Sequence, residues 1–151
     1  MRLILISNLL ILALALNAQP ITKRVLFVGN SYTYVNEMPE IVEMLAETKG
    51  DKLIWEKVTP GGASFQDHSR RNSKAREKIL EGDWDYVALQ EQSTNSAIPD
   101  VQAELLFYPY AYQLDTMINN HNPCAQTMFY MTWGRKNGES FLCDYYTNSF
   151  N

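Results

Sequence analysis

Three short polar blocks in this chain carry residue types suited to acyl transfer. The first, residues 29–32 (GNSY), contains a serine whose hydroxyl could act as a nucleophile. The second, residues 60–64 (PGGAS), offers glycine N–H groups with no side chain to shield them, and the third, residues 90–93 (QEQS), offers the carboxamide of Gln92. A hydroxyl that faces such donors can attack a carbonyl group while the donors stabilise the oxyanion that forms.

Each block also has an ordinary structural explanation. Ser31 could hydrogen bond within its own turn, since serine commonly does so. Gly61 and Gly62 could simply supply a positive φ angle. A solvated loop would account for residues 90–92. Taken singly, no block decides between a site and a turn, so any functional prediction depends on their joint arrangement.

The hydrophobic pattern places each block directly after a predicted strand. Apolar, β-rich runs alternate with amphipathic stretches, which is typical of strands alternating with helices. The predicted strands span residues 24–29, 53–59, 86–90 and 127–132. The predicted helices span residues 39–50, a short piece opening with a Ser64/Asp67 capping box, residues 73–81, and residues 99–119 with a break or kink near Pro109.

This order predicts a doubly wound α/β fold in which helices cover both faces of a parallel sheet. In such a sheet the carboxyl ends of the strands share one edge, where ligands bind. Four loops would therefore meet on one rim: residues 29–33, 60–64, 90–94 and 133–138. Trp133, at the end of the fourth strand, is a candidate pocket residue there, although capping of the sheet is its more common use.

The order of the three blocks resembles the SGNH, or GDSL-like, serine hydrolase family, from about Val25 to Gly138. The resemblance implies that Ser31 is the nucleophile, with Asn30 where the family has Asp. It implies that the N–H of Gly62 and the side chain of Gln92 belong to the oxyanion hole, Gln92 being one methylene longer than the family's asparagine. It also implies a three-layer α/β/α, flavodoxin-like fold and hydrolysis of esters.

The family's fourth block, an Asp-x-x-His pair that supplies the general base, has no counterpart in this sequence. The two histidines, His68 and His121, follow Phe65 and Ile118 at that spacing. We expect His68 on the exposed side of its short helix and His121 in a turn. Since the family's pair follows one more strand, the sequence predicts a C-terminally truncated domain that lacks its last strand and helix and is nearly inactive alone.

The resulting functional hypothesis is an exported SGNH-type esterase, incomplete here, with acyl groups on carbohydrates as one candidate substrate. The alternative is a non-catalytic protein that binds carbohydrate or acyl groups on the same scaffold. A downstream Asp-x-x-His motif would favour the enzyme.

The first residues have the pattern of a secretory signal peptide. Arg2 precedes an apolar run at residues 9–16, and Leu16-Asn17-Ala18 ends in a small residue. We predict cleavage after Ala18, so that residues 1–18 are the signal peptide and residues 19–151 an incomplete hydrolase-like domain, secreted or periplasmic. An uncleaved membrane anchor is the alternative, but the apolar run is shorter than the ~20 residues that a bilayer requires.

Composition excludes several other classes of protein. The formal net charge of −4 and the absence of a basic run argue against nucleic-acid binding and against stable membrane association after cleavage. No cluster of cysteine and histidine predicts a metal, and we expect no cofactor. Cys124 and Cys143 could pair in an oxidising compartment, or Cys124 could be a small buried residue. The oligomeric state is left open.

Overall fold

The computed structural model describes residues 19–98 and 100–133. The predicted signal peptide, the rim segment 134–138 and Cys143, one half of the Cys124–Cys143 alternative, lie outside these residues.

All the strands of the described residues belong to one parallel sheet in the order β2-β1-β3-β4. These strands are β1 (Thr22–Val28), β2 (Lys52–Val58), β3 (Tyr86–Leu89) and β4 (Gln126–Phe129). The helices of the same residues are α1 (Ser31–Tyr34), α2 (Met38–Glu47), α3 (Phe65–Ser69), α4 (Lys74–Glu81), α5 (Asp100–Leu106) and α6 (Tyr108–His121), with a 3₁₀ turn at Asn95–Ala97. The predicted α/β fold with a parallel sheet is therefore confirmed.

Helices cover both faces of the sheet because the chain reverses direction across it. The connection from β1 leads to β2 on one side, and the chain then crosses to β3 and β4 on the other. Right-handed crossovers in opposite directions place their helices on opposite faces. Accordingly, α2 packs on β2, whereas α3, α4 and α6 pack against one another.

The alternation of side chains along β1 divides the core between the two faces. Leu26 and Val28 belong to the larger cluster, with Phe65 of α3. Val25 and Phe27 belong to a smaller cluster against which α2 packs. Strands that are apolar on both faces are the reason for the continuous hydrophobic runs in the sequence.

Several predicted boundaries change in the structure, among them the end of the helix predicted over residues 39–50, which is Glu47. The fourth strand ends at Phe129 rather than at residue 132, so Trp133 lies four positions past the strand. The predicted helix 99–119 divides into α5 and α6 at Phe107. Pro109 lies in the first turn of α6, where the backbone N–H groups have no partner within the helix, so the missing N–H of proline costs no helical hydrogen bond. No helix of the described residues is long and apolar enough to span a membrane.

Candidate active site

Ser31 is the first residue of α1, and its neighbour Asn30 caps the helix. The Asn30 side chain accepts a hydrogen bond from the N–H of Tyr32 at 3.1 Å. Because Asn30 does the capping, the Ser31 hydroxyl is left without a hydrogen-bond partner among the described residues. The alternative, in which the Ser31 hydroxyl hydrogen bonds within its own turn, is therefore not supported by a contact among the described residues.

Gly62 lies in a tight turn that follows β2. The N–H of Ala63 donates to the carbonyl of Pro60 at 3.2 Å, and Gly62 has a φ of +70°. A positive φ at the third position of such a turn defines type II, which glycine adopts without strain. The N–H groups of Gly62 and Ser31 have no acceptor within the part of the chain that the structure describes. Both are consequently available to bind an anion.

Asn30 also joins the two turns. Its side-chain Nδ2 donates to the carbonyl oxygen of Ala63 at 2.8 Å, and Asn30 is only 2% exposed. Since Asn30 precedes Ser31 and Ala63 follows Gly62, this bond brings the serine and the glycine turn together at the carboxyl edge of the sheet. The first two blocks are thus neighbours, as predicted.

Gln90 ties the third block to the first. Its Oε1 accepts hydrogen bonds from the N–H of Asn30 at 3.0 Å and from the hydroxyl of Thr33 at 2.9 Å. A Cβ at Gly29 would lie 2.7 Å from this Oε1 and 2.4 Å from the Thr33 hydroxyl oxygen, so the close approach requires glycine. Gln90 is 1% exposed, so the solvated loop considered for residues 90–92 is wrong here, because donors from the segment after β1 have replaced water at its Oε1.

Gln92, the third residue predicted for the site, is turned toward its own loop. Its Oε1 accepts hydrogen bonds from the N–H of Thr94 at 2.6 Å, from the Thr94 hydroxyl and from the N–H of Asn95 at 3.3 Å. These bonds fix the carboxamide and leave its NH₂ group without an acceptor in the described chain. Its role as a donor to an oxyanion stays a prediction.

Glu91 is a buried carboxylate that the sequence did not single out. It is 6% exposed, and it accepts hydrogen bonds from the N–H of Phe65 at 3.0 Å and from the N–H of Gln92 at 2.6 Å. Burial raises the pKa of the Glu91 carboxyl, while these N–H donors act in the opposite direction. Its membership of a solvated loop is likewise wrong.

His68 is buried rather than on the exposed side of its helix, which corrects the expectation from the sequence. The residue is 1% exposed, and Nε2 lies 2.9 Å from the carbonyl oxygen of Gly29. Because a carbonyl oxygen only accepts, Nε2 carries the hydrogen and donates it. Burial lowers the pKa of the ring, which is therefore neutral near pH 7. His68 anchors α3 to the end of β1 and does not present Nε2 to Ser31.

His121 lies at the opposite edge of the sheet. It ends α6 just before β4, and it lines a cavity of about 290 Å³ with Arg24 and Asp85, at the amino ends of β1 and β3. Since Ser31 follows the carboxyl end of β1, His121 is separated from it by the length of that strand. Among the described residues, neither histidine is placed to take a proton from Ser31.

A second cavity, of about 310 Å³, lies beside the rim. Its walls include Phe65, Phe107 and Phe129, with Glu91 at one side. The chain leaving β4 also borders this cavity and continues to Trp133, whose ring centre lies 4.9 Å from that of Tyr32. Trp133 thus lies on the rim with the other loops, but it follows the strand by four positions and is not among the residues that line this cavity.

Metal binding finds no support in the described part of the chain, which contains no group of three or more His, Cys, Asp or Glu residues able to hold an ion. Cys124 is exposed there, so its alternative as a small buried residue is wrong.

The structure resembles a solved one described as "a putative SGNH hydrolase from Slackia heliotrinireducens". The two chains superpose with a TM-score of 0.62 and are 26% identical, over 80% of this chain and 62% of the other. This chain therefore spans less than two thirds of that protein's length. No family model matches the sequence. No curated protein shows significant similarity to it. The likeness predicted from the three blocks is confirmed at the level of the fold.

Proposed function

We propose that the protein is a serine hydrolase acting on esters, because its fold resembles that of an SGNH hydrolase and a hydrogen bond joins the Ser31 turn to the Gly62 turn. The observation that carries the proposal is the Asn30–Ala63 hydrogen bond, because it links the residue before Ser31 to the residue after Gly62 and so supports a shared role for their N–H groups. The role of a third donor is assigned to the NH₂ group of Gln92.

The reaction has two steps. Ser31 Oγ attacks the ester carbonyl and loses its proton, the N–H groups of Ser31 and Gly62 stabilise the oxyanion, and the alcohol leaves with a proton as the C–O bond breaks. Water then cleaves the acyl-serine and releases the acid. Each oxyanion donor typically contributes ~2.7 to 4 kcal/mol to the barrier reduction. Loss of a triad member costs ~10⁴-fold or more in related chemistries, so we expect very slow turnover from this chain.

The apolar cavity beside the rim is assigned to the apolar part of the ester. Its aromatic walls, Phe65, Phe107 and Phe129, would exclude water from that group. Acyl groups on carbohydrates remain one candidate substrate class, with the sugar outside this cavity.

Acetylation by p-nitrophenyl acetate tests the proposal. In alkaline buffer, where hydroxide replaces the missing base, Ser31 should acquire an acetyl group, detected on its own peptide by mass spectrometry and so separated from acetylation of lysine amines. Ser31→Ala should abolish this modification, and Ser96→Ala, which removes an exposed serine of the same rim, should leave it unchanged. Acetylation at equal rate in Ser31→Ala would contradict the proposal, and ligand binding without any acylation would favour the non-catalytic alternative.

Export is part of the proposal and depends on the sequence alone. The pattern of Arg2, the apolar run and Ala18 supports cleavage after Ala18 and a secreted or periplasmic location. N-terminal sequencing of the protein recovered from a secreting host should begin at Gln19. Recovery of an intact Met1 terminus would contradict it.

A further inference from the structure

Glu91 is a buried titratable group to which the proposed reaction assigns no step. Both of its oxygens accept a hydrogen bond from the N–H of Phe65, at 3.2 and 3.0 Å, and Oε1 also accepts from the N–H of Gln92 and from Asn95 Nδ2. Because its lone pairs are directed to backbone N–H groups, the carboxylate is a connector between two loops rather than a free acid.

The backbone N–H groups that Glu91 accepts lie close to the turns that carry Gly62 and Ser31. Phe65 begins α3 and follows Gly62 by three residues, so a bond to its N–H restrains the end of the glycine turn. Glu91 follows Gln90, whose side chain holds the N–H of Asn30 at 3.0 Å. Two consecutive residues after β3 thus hold the turns that follow β2 and β1.

We propose that Glu91 is a positioning residue for the proposed hydrolase function, on which this inference rests. Its carboxylate accepts a hydrogen bond from the N–H of Phe65 and thereby fixes the Gly62 turn beside Ser31. An oxyanion hole needs its donors held within a few tenths of an ångström, and a displacement of about 1 Å can cost ~100-fold in rate. The buried Glu91 side chain supplies that restraint without touching the reacting atoms.

Glutamine could not replace this carboxylate. A carboxylate offers two acceptor oxygens, whereas a carboxamide offers one and presents an NH₂ group in place of the other. In Glu91→Gln, that NH₂ group would face the N–H of Phe65 or of Gln92, and one of these buried donors would lose its partner.

Asp67 is the charged group of α3 that faces Glu91. Its own carboxylate is held by the N–H and hydroxyl of Ser64, at 3.0 and 2.8 Å, and by Arg70 at 2.9 Å. Its charge disfavours ionisation of Glu91. Asp67 is therefore occupied elsewhere and does not compete for the N–H of Phe65.

The test combines labelling of Ser31 with NMR of the backbone. Parent, Glu91→Gln and the control Glu47→Gln, an exposed residue of α2, are treated with a fluorophosphonate, and the rate is expressed per folded molecule. We expect Glu91→Gln to label about tenfold to 100-fold more slowly and Glu47→Gln at the parent rate. In the parent, the amide proton of Phe65 should titrate together with the Glu91 carboxyl, above the range of exposed glutamates.

Two results would overturn the assignment: labelling of folded Glu91→Gln at the parent rate, or a Phe65 amide that does not titrate. The titration uses the parent, so it decides the contact even where the variant fails to fold. Failure of the parent to label at Ser31 in alkaline buffer, where hydroxide replaces the missing base, with the Phe65 titration intact, would instead show that the proposed function is wrong and that the connection serves another purpose.

Discussion

The side chain of Asn30 donates to the carbonyl oxygen of Ala63 at 2.8 Å, and this single bond joins the turn after β1 to the turn after β2. The same side chain caps α1 through its Oδ1, so both of its polar atoms are used. The candidate nucleophile therefore owes its position to the residue before it.

Asn30→Asp should weaken the junction between the two turns. A carboxylate cannot donate to Ala63, and two oxygens would face each other in a buried position. We expect a loss of about 1 to 3 kcal/mol in the free energy of unfolding, measured by urea denaturation. Asn36→Asp, an exposed site, should stay within ~0.5 kcal/mol. Equal stabilities of Asn30→Asp and the parent would show that the bond contributes nothing.

Gly29→Ala should be destabilising for a steric reason. The new methyl group would lie 2.4 Å from the Thr33 hydroxyl oxygen and 2.7 Å from Gln90 Oε1, and both side chains are buried. We expect a cost of about 1 to 3 kcal/mol, as for other forced contacts in a packed interior. The matched control is Gly61→Ala, where the nearest atom is the Tyr34 hydroxyl at 3.8 Å, and which should be nearly neutral. A Gly29→Ala variant as stable as Gly61→Ala would refute the close approach.

His68 should make stability depend on pH in a defined window. Burial lowers the pKa of the folded ring below its ordinary value of 6.5, so the folded state favours the neutral form. The stabilisation is complete above pH 6.5 and is lost as pH falls through the folded pKa. Urea denaturation of the parent and His68→Gln should show a smaller loss of stability in the variant across that window, because glutamine can still donate to Gly29. Parallel stability curves for the parent and His68→Gln would contradict this assignment.

The sequence was sufficient for the architecture because β1 and β3 are apolar on both faces and several helices begin at recognisable signals. The capping box at Ser64 and Asp67 and the N-cap at Ser73 are both present. The ends of strands were harder to predict. The fourth strand was predicted to run to residue 132 because the residues after Phe129 are still apolar, whereas β4 ends at Phe129.

The buried polar residues of the rim could not be predicted in the same way. Gln90 and Glu91 lie in a polar stretch that is typical of a solvated loop, and their partners Asn30 and Phe65 are 60 and 26 positions away. His68 shares a short polar helix, and only the carbonyl of Gly29, which is 39 positions distant, explains its burial. Contacts of this separation leave no local pattern in one sequence.

The role of Ser31 as nucleophile is tested most directly by the structure of the covalent adduct that a fluorophosphonate forms with this chain. We expect one adduct, on Ser31 Oγ, with a phosphonyl oxygen that accepts hydrogen bonds from the N–H groups of Ser31 and Gly62. An adduct on another residue, or a phosphonyl oxygen directed away from both N–H groups, would contradict it.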